Sequence, residues 1–109
     1  MHDLELALSF ANYQNTLNQQ KTILRQRFQD QCILAYNGGL FFVTPEFISG
    51  VSFITASWIV DMNSNPIRID SPKDFVELAT KTYNDAINVY GEAYNKLKTQ
   101  RSVKSLVEL

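Results

Sequence analysis

Three sets of side chains in this chain are of types and spacings that could do chemistry. Asp61, Asp70 and Asp74 lie close enough in sequence to converge, and carboxylates suit a hard cation such as magnesium. Lys96, Lys98, Arg101 and Lys104 follow one another with no acid between them, a cationic run able to touch phosphates. Cys32 is the single thiol and His2 the single imidazole. Each set also has a plain structural reading. Turn and cap roles account for Asp70 and Asp74, and the basic run complements the negative end of a helix. The apolar neighbours Ile33 and Leu34 make Cys32 a buried, inert thiol. A histidine triad, a histidine metal cluster and a Cys-His pair each lack a member. Glycine occurs only at 38, 39, 50 and 91, which provides neither a phosphate-cradling loop nor a dinucleotide fingerprint. The sequence therefore assigns no catalytic, cofactor-binding or metal residue, and the chain is read as a protein that is not an enzyme. An enzyme built on a carboxylate-bound metal would need Asp61.

The elements that must carry these residues are legible in the pattern. Leu6, Phe10, Tyr13, Leu17, Leu24 and Phe28 recur at helical spacing and predict a helix over residues 3–30, interrupted on its apolar stripe by Gln20 and Lys21. Asp3 and Glu5 near its start, and Lys21, Arg25 and Arg27 toward its end, agree with the helix dipole. Ser71-Pro72-Lys73-Asp74 reads as a cap, a first-position proline and a helix start, opening a helix over 72–99 and leaving 100–109 as a tail able to dock on a partner. Ala79, Ala86 and Ala93 form one row of small residues on it, beside Val76, Tyr83, Tyr90 and Leu97, with Phe75, Ile87 and Tyr94 widening the stripe. Two long antiparallel helices seamed along the alanines follow, with Gly91 marking a close backbone approach.

Between them, Asn37-Gly38 separates two apolar runs and predicts a β-hairpin over 32–43. With Tyr36 opposite Gly39, one face carries Cys32, Leu34, Tyr36, Phe41 and Val43, and the other Ile33, Ala35, Leu40 and Phe42. Both are apolar, which predicts cover on both sides. Thr44-Pro45-Glu46 starts a short helix over 45–50 that could provide the second cover with Phe47, Ile48 and Val51. A second hairpin over 57–69 turns at Asn63-Ser64-Asn65 and is read with one polar face. From Gln31 to Val60 the only charge is Glu46. Such a stretch exceeds what a small monomer hides easily, so it is read as a surface for self-association or a protein partner, formed by Leu40, Phe42, Phe53 and Trp58.

Composition bounds the rest. The chain has 109 residues, 45% of them hydrophobic, enough for a single core over 1–109. A net charge of −1 excludes a strongly basic nucleic-acid binder or an acidic mimic of DNA. No apolar run approaches the ~20 residues that span a bilayer, and the start Met1-His2-Asp3-Leu4-Glu5 carries acids where a secretory leader has bases. A soluble, cytoplasmic protein is expected, without cofactor, membrane or small-molecule partner. Tyr36-Asn37-Gly38-Gly39-Leu40-Phe41, Thr44-Pro45-Glu46, Asn65-Pro66-Ile67-Arg68-Ile69 and a tyrosine-rich last helix with Lys96-Leu97-Lys98 and Arg101 resemble small proteins of T-even-like tailed bacteriophages, over about residues 31–104. The resemblance implies a phage-encoded accessory or virion protein and carries no activity with it. The expected architecture is α+β, two long helices around a small antiparallel sheet and a short helix. Its expected function is a non-catalytic interaction or oligomerisation module. The alternative is a nucleic-acid-associated factor using Lys96, Lys98, Arg101 and Lys104.

Overall fold

The computed structural model describes residues 2–108, with side chains described for 4–100. Helix α1 (His2–Gln31) leads into strands β1 (Ile33–Tyr36) and β2 (Gly39–Phe42). Helix α2 (Pro45–Ser52), strands β3 (Trp58–Val60) and β4 (Pro66–Arg68) and helix α3 (Pro72–Glu108) complete the chain. The protein is α+β, with long first and last helices and two two-stranded antiparallel sheets between them. Asn37 and Gly38 both take positive φ, 46° and 81°, the conformation a two-residue turn matched to strand twist requires. Tyr36 pairs with Gly39 and Ile33 with Phe42, the register expected from the sequence. Thr44 Oγ1 accepts the Phe47 N–H at 3.0 Å, and Pro45 opens α2 as its first residue.

The chain divides into two compact units, residues 28–89 and the remainder of both long helices. The 28–89 unit holds one core of Leu34, Phe41, Val43, Val51, Ile59, Ile67, Ile69, Phe75 and Ala79. Phe75 is its hub, with ring centroids of Phe41 and Tyr36 at 5.1 and 5.0 Å and Phe47 at 6.2 Å, all edge-on. Cys32, Leu34, Tyr36, Phe41 and Val43, one of the two sets that alternation grouped, form the inner face of the first hairpin. Its outer face stays partly exposed, contrary to the expectation of double cover, because α2 packs on the inner side, where Phe47 meets Phe41 at 6.0 Å. Val43 is buried and only Thr44 separates it from α2, so the chain turns inward at once. The second hairpin also departs from expectation. Its outward residues Trp58, Val60 and Pro66 are apolar, and Arg68 alone is charged. Ala79 belongs to this core, so the first member of the alanine row packs beneath the hairpins instead of forming a purely helix–helix seam.

Segments of the two long helices meet within each unit. Within the 28–89 unit Phe28 meets Tyr83 edge-on at 6.0 Å, and within the other unit Lys21 Nζ lies 5.8 Å above the Tyr94 ring. That second contact explains the polar turn in the α1 stripe, since a lysine covers an aromatic face without leaving water. The stripe is half-buried from Tyr13 to Phe28, whereas Leu6 and Phe10 are 67% and 65% exposed. Gly91 is exposed, and an added Cβ would meet nothing within 4 Å, which overturns the inferred close approach. The expected tail over 100–109 is also corrected, as α3 continues to Glu108. No glycine or proline follows Thr99 to stop it, and Arg, Lys, Leu and Glu all propagate helix.

Candidate functional site

Asp61 organises the most developed feature outside the core. Its Oδ1 accepts the backbone N–H groups of Asn65 at 2.9 Å and Asn63 at 3.0 Å, closing the second hairpin's loop. Its Oδ2 accepts the Leu40 N–H at 3.0 Å, reaching across to the free edge of β2. These donors, Leu40 first, then Asn65 and Asn63, hold the buried acid below the usual carboxylate range and outweigh its desolvation. The Met62 N–H donates to Leu40 O at 2.9 Å, and Asn37 Nδ2 donates to Arg68 O at 3.0 Å. Gly39 completes the junction: a Cβ there would stand 2.5 Å from Ile67 Cγ1, so only glycine admits the second hairpin so close.

This junction decides what the middle of the chain presents. Leu34 and Phe41 of one hairpin and Ile59 and Ile67 of the other enter the same core. Strand alternation then turns both remaining faces away from that core. On the first hairpin these are Ile33, Ala35, Leu40 and Phe42. On the second they are Trp58, Val60 and Met62, which alternate with buried Ile59 and Asp61. The four residues expected from the sequence to meet a partner are all at the surface. Leu40 and Phe42 are 41% and 40% exposed, Trp58 is 53% exposed, and Phe53, at the C-cap of α2, is 83% exposed. Ile33, Ile54, Val60 and Met62 add to them and were not singled out. The alternation from Trp58 to Met62 around a buried acid was the available signal for two of these. Arg68 is the cation on this surface, 5.7 Å from the Trp58 ring and 3.7 Å from Asp70 Oδ1.

The metal alternative does not assemble. Asp61 spends its oxygens on backbone donors, Asp70 sits beside Arg68, and Asp74 lies in the first turn of α3. Among the described residues no group of three or more His, Cys, Asp or Glu side chains is placed to hold an ion. Cys32 is buried, and its desolvation raises the thiol pKa, the opposite of what a nucleophile needs. Of the basic run, Lys96 lines an open groove of about 400 Å³ together with Arg27, between the apolar side chains Ile23, Leu24, Ala93 and Leu97. Lys98 is exposed and does not line it. The side chains of Arg101 and Lys104 lie outside the described residues. No helix among the described residues is long and apolar enough to cross a membrane. No family model, curated protein or solved structure matches this chain.

Proposed function

We propose that this protein is a non-catalytic interaction module whose working surface is the outer face of its two hairpins. The observation that carries the reading is the exposure of Leu40, Phe42 and Trp58, joined by Ile33, Val60 and Met62, on hairpins tied together by the Asp61–Leu40 hydrogen bond; Phe53, at the C-cap of α2, is exposed apart from them. Monomers seldom leave a contiguous apolar patch beyond a few hundred Å² in water, and such patches serve recognition. Aromatic anchors on a firm backbone, with charge nearly absent, are the composition of the centre of an interface. A phage-encoded accessory or virion protein acting in a bacterial cytoplasm is the setting we favour, on the motif resemblance alone. The test is site-specific photo-crosslinking in the producing cell. A photoreactive phenylalanine replacing Phe42 or Trp58 should capture protein, whereas the same group at exposed Asn84 of α3 should not. Equal yields at all three positions would defeat the reading.

A second reading rests on Arg27 and Lys96 lining one groove. Two cations on neighbouring helices form a weak, sequence-blind phosphate contact. Salt-dependent retention on DNA or RNA, lost when Lys96, Lys98, Arg101 and Lys104 become Ala, supports it. Retention unaffected by those changes removes it.

A further inference from the structure

We infer that the partner for this surface is a second copy of the same chain, stacked outer face on outer face about a two-fold axis. The inference rests on the interaction reading above and adds the identity of the partner. It starts from area. Ile33, Leu40, Phe42, Trp58, Val60 and Met62 are between 37% and 62% exposed. At about 200 Å² for a fully exposed large side chain, the six present on the order of 600 Å². Ala35 and Pro66, both exposed on the same faces, extend it. A standard interface takes roughly 600–1,000 Å² from each partner, so this face alone reaches the size a stable dimer needs.

Charge selects the occupant. Foreign partners are chosen and steered by complementary charge. This face has almost none to offer, since Arg68 is already answered by the Trp58 ring and Asp70. A two-fold contact places one patch against itself, residue i against j and j against i, and an apolar patch meets that condition with no charge to pair. Two such sheets stack about 10 Å apart, with side chains interleaved as in a sandwich. Ala35, the cross-strand partner of Leu40, is the small residue on this face.

Sedimentation equilibrium of the full chain from about 5 to 500 μM tests the inference. The expected result is a shift toward twice the 12.5 kDa chain mass. Phe42→Glu and Trp58→Glu should each raise the dissociation constant roughly thirty-fold or more, as loss of a central anchor does. Asn84→Glu should leave it unchanged. Far-UV circular dichroism checks that each variant folds. Should the glutamate variants unfold, the emission of Trp58, the single tryptophan, decides in the wild type. It moves to shorter wavelength with concentration if Trp58 is covered, and a constant emission overturns the inference. A dimer indifferent to both substitutions also overturns it. A wild-type monomer at the highest concentration that still crosslinks another protein through residues 42 and 58 refutes the second copy and leaves the interaction reading standing. A monomer that crosslinks nothing ends both.

Discussion

Gly39→Ala adds one methyl group, and the geometry around it makes the consequence calculable. The new Cβ would stand 2.5 Å from Ile67 Cγ1, 2.8 Å from Ile67 Cδ1 and 3.3 Å from Asp61 Oδ2. Carbon atoms rest at about 3.5–4.0 Å, so the first contact overlaps by an ångström or more. Ile67 is buried in the core and cannot withdraw without opening space behind it. Gly39 does not have positive φ, so backbone strain adds nothing and the penalty is steric. Overpacking of this kind costs about 1–3 kcal/mol, partly offset by the ~0.4–1 kcal/mol that alanine gains by restricting the unfolded chain. A net loss near 1–2 kcal/mol follows, visible as a fall in melting temperature of roughly 4–8 °C per kcal/mol. Ile67→Ala alone should cost about 2–5 kcal/mol through the cavity it leaves. In the double variant both clashing carbons are gone, so the added methyl should cost little or nothing. Urea unfolding at fixed protein concentration, followed through Trp58 fluorescence, reads this unit directly. Strict additivity of the two substitutions would show that the hairpins do not meet through Gly39, and the account of the junction would fail with it.

Three other outcomes follow from the same geometry. Asn37→Ala should destabilise by about 1–2 kcal/mol in the same unfolding assay, because alanine resists the left-handed conformation and loses the bond to Arg68 O, while Asn37→Gly keeps the turn and forfeits only that bond. The folded pKa of Asp61 is depressed, so its contribution to stability is present above the unfolded value of about 3.9 and is lost as pH falls through the lower folded value. Asp61→Asn should therefore unfold more easily at pH 7, with the gap from wild type closing in thermal melts below about pH 4. Cys32, buried with a raised pKa, should react with a thiol reagent only as fast as the protein opens, and at once in denaturant; rapid labelling of the native chain would contradict its burial.

Local chemistry made much of the fold legible. Asn37-Gly38 required its turn because both positions need positive φ, and Thr44-Pro45 and Ser71-Pro72 opened helices because a cap oxygen and a harmless proline are local devices. The membership of each face of the first hairpin followed from a period of two. The side on which α2 settles did not, because Phe47, Ile48 and Val51 can cover either apolar face and the sequence has no term for direction. Gly91 misled for a related reason: a helical glycine permits close approach without requiring it, and here nothing approaches. The candidate surface was half legible. Leu40, Phe42, Phe53 and Trp58 stood out through the lack of charge around them, whereas nothing in the sequence pointed to Asp61 as the acceptor for three backbone donors.

By itself, then, the order of residues determined the turns, the helix starts and which side chains share a strand face, since these depend on neighbours a few positions apart. Only the tertiary structure decided that the two hairpins dock through Gly39, Leu40 and Asp61, twenty-one residues apart in the case of the Leu40–Asp61 bond, and that each keeps an apolar face exposed. Contacts between distant segments depend on which of several apolar surfaces meet first and bury most, and burial is blind to sequence separation.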